Sequence, residues 1–105
     1  MSTLSTHVLD TSLGKPAAGI RVTLLRGGQS IGEATTDADG RATGFAPSLE
    51  AGDYSLRFEV HPYFRTSGRE AFYRVITIEF VVRGDEHYHV PLLLNPFGYS
   101  TYRGS

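Results

Sequence analysis

The sequence predicts an all-β sandwich or barrel, and three observations carry that prediction. Short runs rich in Val, Ile, Thr, Tyr and Phe recur along the chain. Twelve glycines and five prolines separate them at short intervals, the spacing expected of strands joined by turns. Two runs alternate strictly. Tyr54, Leu56, Phe58 and Val60 point one way, with Ser55, Arg57 and Glu59 opposed, and Ile76, Ile78, Phe80 and Val82 make a second apolar face. A period of two places such residues on the inner face of a sheet.

In chain order the strands are expected at Leu4–Asp10, Ile20–Arg26, Gly32–Thr36, Arg41–Phe45, Asp53–Val60, Arg74–Val82, His87–Leu94 and Tyr99–Tyr102. Turn chemistry separates them at Ser12–Pro16, Gly27-Gly28, Asp37-Ala38-Asp39-Gly40, Glu50–Asp53, Gly84-Asp85 and Asn95–Gly98. His61–Ala71 lacks alternation and is expected to hold one short helix and a loop. In His87–Leu94 both faces are unusual. Tyr88, Val90, Leu92 and Leu94 suit a core, while the opposite face carries His87, His89, Pro91 and Leu93. A half-apolar outer face predicts a covering partner, hence an oligomer whose interface includes this strand.

With 105 residues, the chain is expected to form a single domain spanning 1–105. A formal net charge of −1 gives no electrostatic basis for binding nucleic acid or an anionic membrane surface. The absence of cysteine excludes thiol catalysis, disulfides and cysteine-ligated zinc. The first ten residues show no basic stretch followed by an apolar run, and no window is long enough to span a bilayer, so a cytoplasmic location is expected.

Chemistry is carried first by four histidines, His7, His61, His87 and His89. His87-Tyr88-His89 puts two imidazoles on one strand face. With a remote third histidine, that pattern can build a zinc or iron site. It fits equally a pair of surface or interface histidines with structural contacts only. His7 shares a strand face with Ser5 and Leu9, which is not a typical exposed face. Asp37-Ala38-Asp39-Gly40-Arg41 lacks the further ligands of a calcium loop and reads as a hairpin turn. Arg41 after it is either solvated or a fixed donor to a planar, oxygen-rich ligand. The sequence contains no phosphate-binding loop, dinucleotide fingerprint, nucleophile elbow or paired-histidine metalloprotease helix.

Four stretches together resemble one family. Ser5-Thr6-His7-Val8-Leu9-Asp10 with Gly14-Lys15-Pro16-Ala17, then Thr36-Asp37-Ala38-Asp39-Gly40-Arg41, then His87–Pro96, then Tyr99-Ser100-Thr101-Tyr102-Arg103-Gly104-Ser105, are similar in order and content to the transthyretin-related hydroxyisourate hydrolases. The resemblance implies a transthyretin-like fold of two four-stranded sheets with one short helix. It implies a homotetramer, a dimer of dimers with active sites at the dimer–dimer interface. It also implies cofactor-free and metal-free hydrolysis of 5-hydroxyisourate to 2-oxo-4-hydroxy-4-carboxy-5-ureidoimidazoline in urate breakdown. On that basis His7 and His89 flank the substrate, and one of them deprotonates the attacking water. Arg41 offers its guanidinium to the carbonyl oxygens, and Ser105 brings a hydroxyl and a terminal carboxylate near a histidine. Tyr102, Arg103 and Gly104 frame the pocket, while His87 and His61 carry lesser expectations. The resemblance also covers a hormone-carrier branch, which lacks the first histidine, the arginine, the second histidine of the pair and the Tyr-Arg-Gly-Ser end.

Overall fold

The computed structural model describes all 105 residues. The chain forms β1 (Thr3–Asp10), β2 (Lys15–Pro16), β3 (Arg21–Arg26), β4 (Gln29–Thr35), β5 (Arg41–Ala42), β6 (Gly52–Glu59), α1 (His61–Thr66), β7 (Val75–Val82), β8 (His87–Asn95) and β9 (Gly98–Thr101). Two sheets pack face to face. One has the order β4-β3-β6-β7, all antiparallel. The other runs β2-β1-β8-β9, with β5 also pairing with β1. The expected pair of four-stranded sheets is thus corrected to one of four strands and one of five.

Alternation translates directly into packing. Tyr54, Leu56, Phe58 and Val60 are all buried, as are Tyr88, Val90, Leu92 and Leu94 opposite them. With Leu4, Val8, Val22, Leu24 and Ile76 they belong to one core cluster of 18 residues. On β7 only Ile76 and Val82 are fully buried, while Ile78 and Phe80 are partly covered because they lie toward the open edge.

Two strand boundaries depart from expectation. β4 begins at Gln29 rather than Gly32, because Gly27 and Gly28 both take positive φ (59° and 79°) and close a two-residue turn. Pairing therefore resumes at once between Arg26 and Gln29. The expected strand Arg41–Phe45 shortens to Arg41–Ala42. After Ala42 the chain turns through Gly44 (φ 69°) and crosses to the other sheet, where the Phe45 carbonyl lies against Gly32 so closely that a Cβ there would approach it to 2.3 Å.

The short helix α1 falls inside the expected segment. Its N-cap Val60 contributes no side-chain hydrogen bond, so tertiary contacts must hold it. Phe64 inserts into the core, and the Tyr63 hydroxyl donates to Asp10 at the end of β1 (2.7 Å). Arg69, just beyond the helix, donates to the same carboxylate (2.8 Å). Burial works to raise the Asp10 pKa, but the hydrogen bonds from Arg69, Ser12 and Tyr63 outweigh it and hold the value at about 2.

Candidate active site

β1 and β8 run parallel, with Thr3 opposite His87, Ser5 opposite His89 and His7 opposite Pro91. Register partners share a face, so Thr3, Ser5 and His7 line up beside His87, His89 and Pro91 on the outer surface of the sheet. On the other side of β1, Arg41 of β5 is the register partner of His7. His7 and His89 are therefore diagonal neighbours, offset by two residues, about 7 Å of strand rise. The structure brings His7, Arg41 and His89 onto one patch.

The turn before β5 is built to deliver Arg41. The Asp37 carboxylate accepts from the backbone N–H groups of Asp39 (2.9 Å) and Arg41 (3.0 Å). Gly40 takes φ +73° and its carbonyl accepts from Val8 N–H (2.7 Å). A Cβ on Gly40 would stand 2.4 Å from the Val8 carbonyl oxygen, so only glycine lets the turn dock on β1. The Asp-Ala-Asp-Gly stretch is a tight turn but not a hairpin, because β4 and β5 belong to different sheets; the Arg41 side chain beyond it is exposed.

Hydroxyls hold both histidines of β8. Ser5 Oγ lies 2.8 Å from Nδ1 of His89 and 2.8 Å from Nε2 of His87, while Thr3 Oγ1 lies 2.7 Å from Nδ1 of His87. The two rings leave Ser5 only 8% exposed. His89 is half-buried, and its pKa is lowered, first by desolvation and then by the positive field of Arg41 and of His7 and His87 when charged. A neutral ring whose Nδ1–H donates to Ser5 leaves Nε2 bare, the state a general base requires.

The C-terminal segment completes the row. β9 pairs with β8 as far as Thr101 opposite Leu92. Pro91 has no N–H to continue the ladder, though its carbonyl accepts from the Thr101 hydroxyl (2.7 Å). Three residues further along each strand the pairing resumes in unchanged register, where Gly104 N–H donates to the His89 carbonyl (2.8 Å). A Cβ on Gly104 would stand 2.6 Å from His89 Cδ2, so the segment can cross this histidine only as glycine. Ser105 follows Gly104 and is exposed.

Tyr102 and Arg103 depart from the expectation that they frame the histidine pocket. Within the chain, Arg103 ion-pairs with Glu86 (3.0 Å) and stacks on the Tyr88 ring at 4.5 Å. Both residues line a cleft of about 330 Å³ between the sheets, together with Ile78, Phe80 and Val90. The cause is the inward-facing Tyr88 ring, which offers Arg103 an aromatic surface, together with the Glu86 carboxylate that the Tyr88 hydroxyl also contacts. Arg103 thus anchors the segment from behind. His61 stands at the start of α1, outside the row. None of the four surface cavities includes His7, Arg41 or His89, so the row lies on an open sheet face.

No group of three or more His, Asp or Glu side chains is arranged to hold a metal ion, and the ring nitrogens of His87 already have hydroxyl partners. The residues that sequence reasoning passed over are Thr3 and Ser5. Their signal was the period-two face they share with His7.

Comparison with known proteins identifies the family and supports the fold. Residues 4–104 match the model of the HIUase/Transthyretin family. The 5-hydroxyisourate hydrolase of Caulobacter vibrioides is 48% identical over 115 aligned positions, covering all of both chains. Among solved structures, the 5-hydroxyisourate hydrolase of Klebsiella pneumoniae superposes with a TM-score of 0.93 at 47% identity, again covering all of both chains. The transthyretin of Sparus aurata superposes with a TM-score of 0.91 at 28% identity, covering 97% of this chain and 96% of its own. A row of two histidines and an arginine on one face of a two-sheet sandwich, with full-length similarity to these proteins, leads to one conclusion: the chain belongs to the HIUase/Transthyretin family.

Proposed function

We propose that this chain hydrolyses 5-hydroxyisourate in urate breakdown, using His89 and His7 to handle protons and Arg41 to stabilise the oxyanion. The observation that carries this reading is the register: His7 faces Arg41 across one strand pair, and His89 stands diagonally beyond it with its Nδ1 held by a hydroxyl. The names of the Caulobacter and Klebsiella relatives support the same substrate.

Neutral His89 takes a proton from water through Nε2, and the hydroxide adds to the amide-like carbonyl of the six-membered ring. The developing oxyanion takes hydrogen bonds from Arg41, whose charge favours it over the ground-state carbonyl. Collapse breaks the ring C–N bond, and the leaving nitrogen receives the proton. The product is an imidazoline carrying a new carboxylate. His7, next to Arg41, orients the flat substrate between the histidines. Gly104 and Ser105 close one side of the row, and Ser105 contributes its hydroxyl.

An open face excludes water only when something covers it. A second copy of the chain fits that need, so the active form is a homotetramer, a dimer of dimers with the rows apposed at the dimer–dimer interface. The reaction uses no metal or cofactor and runs in the cytoplasm.

The test follows the ultraviolet absorbance of 5-hydroxyisourate, freshly made by urate oxidase, with chelator-treated protein. Decay well above the spontaneous rate, lost by roughly 10²–10⁴-fold in His89→Ala, is the expected result. Decay equal to the blank from folded protein would overturn the reading and favour a carrier that binds without turnover.

A further inference from the structure

The hydrogen bonds around Ser5 form an unbroken chain: Thr3 Oγ1, His87 Nδ1, His87 Nε2, Ser5 Oγ and His89 Nδ1, with each contact between 2.7 and 2.8 Å. A hydroxyl owns one proton and can accept others. Placed between two imidazole nitrogens, Ser5 must donate to one ring and accept from the other. The tautomers of His87 and His89 are therefore linked.

In one arrangement Nδ1–H of His89 donates to Ser5, Ser5 donates to Nε2 of His87, and Nδ1–H of His87 donates to Thr3. Nε2 of His89 is then bare and faces the row. In the reverse arrangement every proton lies one bond further toward His89, and Nε2 of His89 carries hydrogen. The two states differ only in the direction of the chain, yet one makes His89 a base and the other an acid.

The surroundings favour a charge at the outer end of this chain. From the elements packed around it, His89 faces the charged or titratable groups His7 on β1, Arg41 on β5 and His87 on β8, while the C-terminal segment meets it with the Gly104 backbone. It is half-buried, whereas His87 is exposed and lies two residues further from the Arg41 register. Glu86 beside His87 is already engaged by Arg103. An imidazolium is better solvated at His87 than beside the Arg41 guanidinium.

We propose that Ser5 and His87 are positioning residues for the hydrolysis, a proton arm that moves the charge gained by His89 out to His87. As water gives its proton to Nε2 of His89, Nδ1–H passes to Ser5 Oγ and the Ser5 proton passes to Nε2 of His87. His89 stays neutral, and His87 becomes the imidazolium with Nδ1–H still donating to Thr3. When Nε2–H of His89 goes to the leaving nitrogen, the shift reverses: His87 returns its Nε2 proton to Ser5, and Ser5 refills Nδ1 of His89. Protons balance in both directions, and no further reactant is needed.

This inference rests on His89 being the base, and the test separates the two. Histidine ring nitrogens are observed by NMR across a pH titration in the wild type, Ser5→Ala, Ser5→Thr and His87→Gln, with turnover measured in parallel. The expected wild-type result is a coupled pair, in which the tautomers of His87 and His89 change together. Ser5→Ala should uncouple the rings, mix the His89 tautomers and lower kcat by roughly 10-fold or more at little changed KM. Ser5→Thr keeps a hydroxyl and should restore both. His87→Gln, at an exposed position, should lower kcat and steepen its fall in acid. Independent titration of the two rings in the wild type, or full kcat in both Ser5→Ala and His87→Gln, would overturn the arm. Full turnover in His89→Ala would instead overturn the base assignment, whatever the ring coupling shows.

Discussion

Gly104 lies across His89, with its N–H bonded to the His89 carbonyl and its missing Cβ making room for the His89 ring edge. The alanine variant would force 2.6 Å between its Cβ and Cδ2 of His89, which neither group can accommodate without moving. Gly104→Ala is expected to displace the C-terminal segment or the ring and to lower kcat by roughly 10²-fold, the scale of an ångström of misplacement. The thermal midpoint should hardly change, since the segment adds little to the core. Parallel kinetics and thermal melts check this, and an unchanged kcat would remove Gly104 from the site.

Arg41 is placed by its turn rather than by partners of its own. Arg41→Lys keeps the charge but loses the planar fork, so kcat should fall by roughly 10²–10³-fold, as for removal of an oxyanion donor. The same variant should leave the acid limb of the pH profile in place. Arg41→Gln removes the charge that opposes protonation of His89 and should move that limb upward in pH. Rate–pH profiles of the two variants distinguish these roles.

His89 itself sets the position of the acid limb. Its folded pKa lies below the usual 6.5 through desolvation and neighbouring positive charge. The neutral ring is the working form, so kcat/KM should be flat through neutrality and decline only as pH falls through the lowered pKa. A profile already declining above pH 6.5 would contradict the environment described for this ring.

Asp10 should make fold stability depend on acid. Its folded pKa of about 2 lies below the ordinary 3.8. The stabilisation is therefore complete above about pH 4 and is lost as pH falls toward 2, amounting to ~2 kcal/mol from this one group. Denaturant midpoints across that range measure it. Asp10→Asn leaves the Arg69 charge without its partner and should cost about 3 kcal/mol at neutral pH.

Much of this was readable from the chain. The alternation at Tyr54–Val60 and on β8 located the core faces because a pleated strand has a fixed period. Asp37 to Gly40 announced a turn because only that chemistry satisfies the backbone there. Pairing across long separations was not readable. Nothing local says that Ser5 will sit beside His89, because the two meet only through the parallel β1–β8 register. The fate of Arg103 was equally hidden, since its stack on Tyr88 depends on which face of β8 the segment reaches. Asp10 looked like the polar end of a strand, and its importance arises from α1 folding back onto it.

The parallel pairing of the first strand with the last long one has a consequence for synthesis. β1 emerges from the ribosome first, yet its neighbour β8 is made only when most of the chain exists. Until then the inner residues of β1 have no sheet partner on that side, and the row holds at most His7 and Arg41, paired through β1 and β5. Closing so long a loop is entropically slow, so catalytic competence should arrive as a late kinetic phase after the antiparallel β4-β3-β6-β7 sheet has formed. A nascent chain halted before His87 would hold a folded half of the sandwich and no chemistry at all.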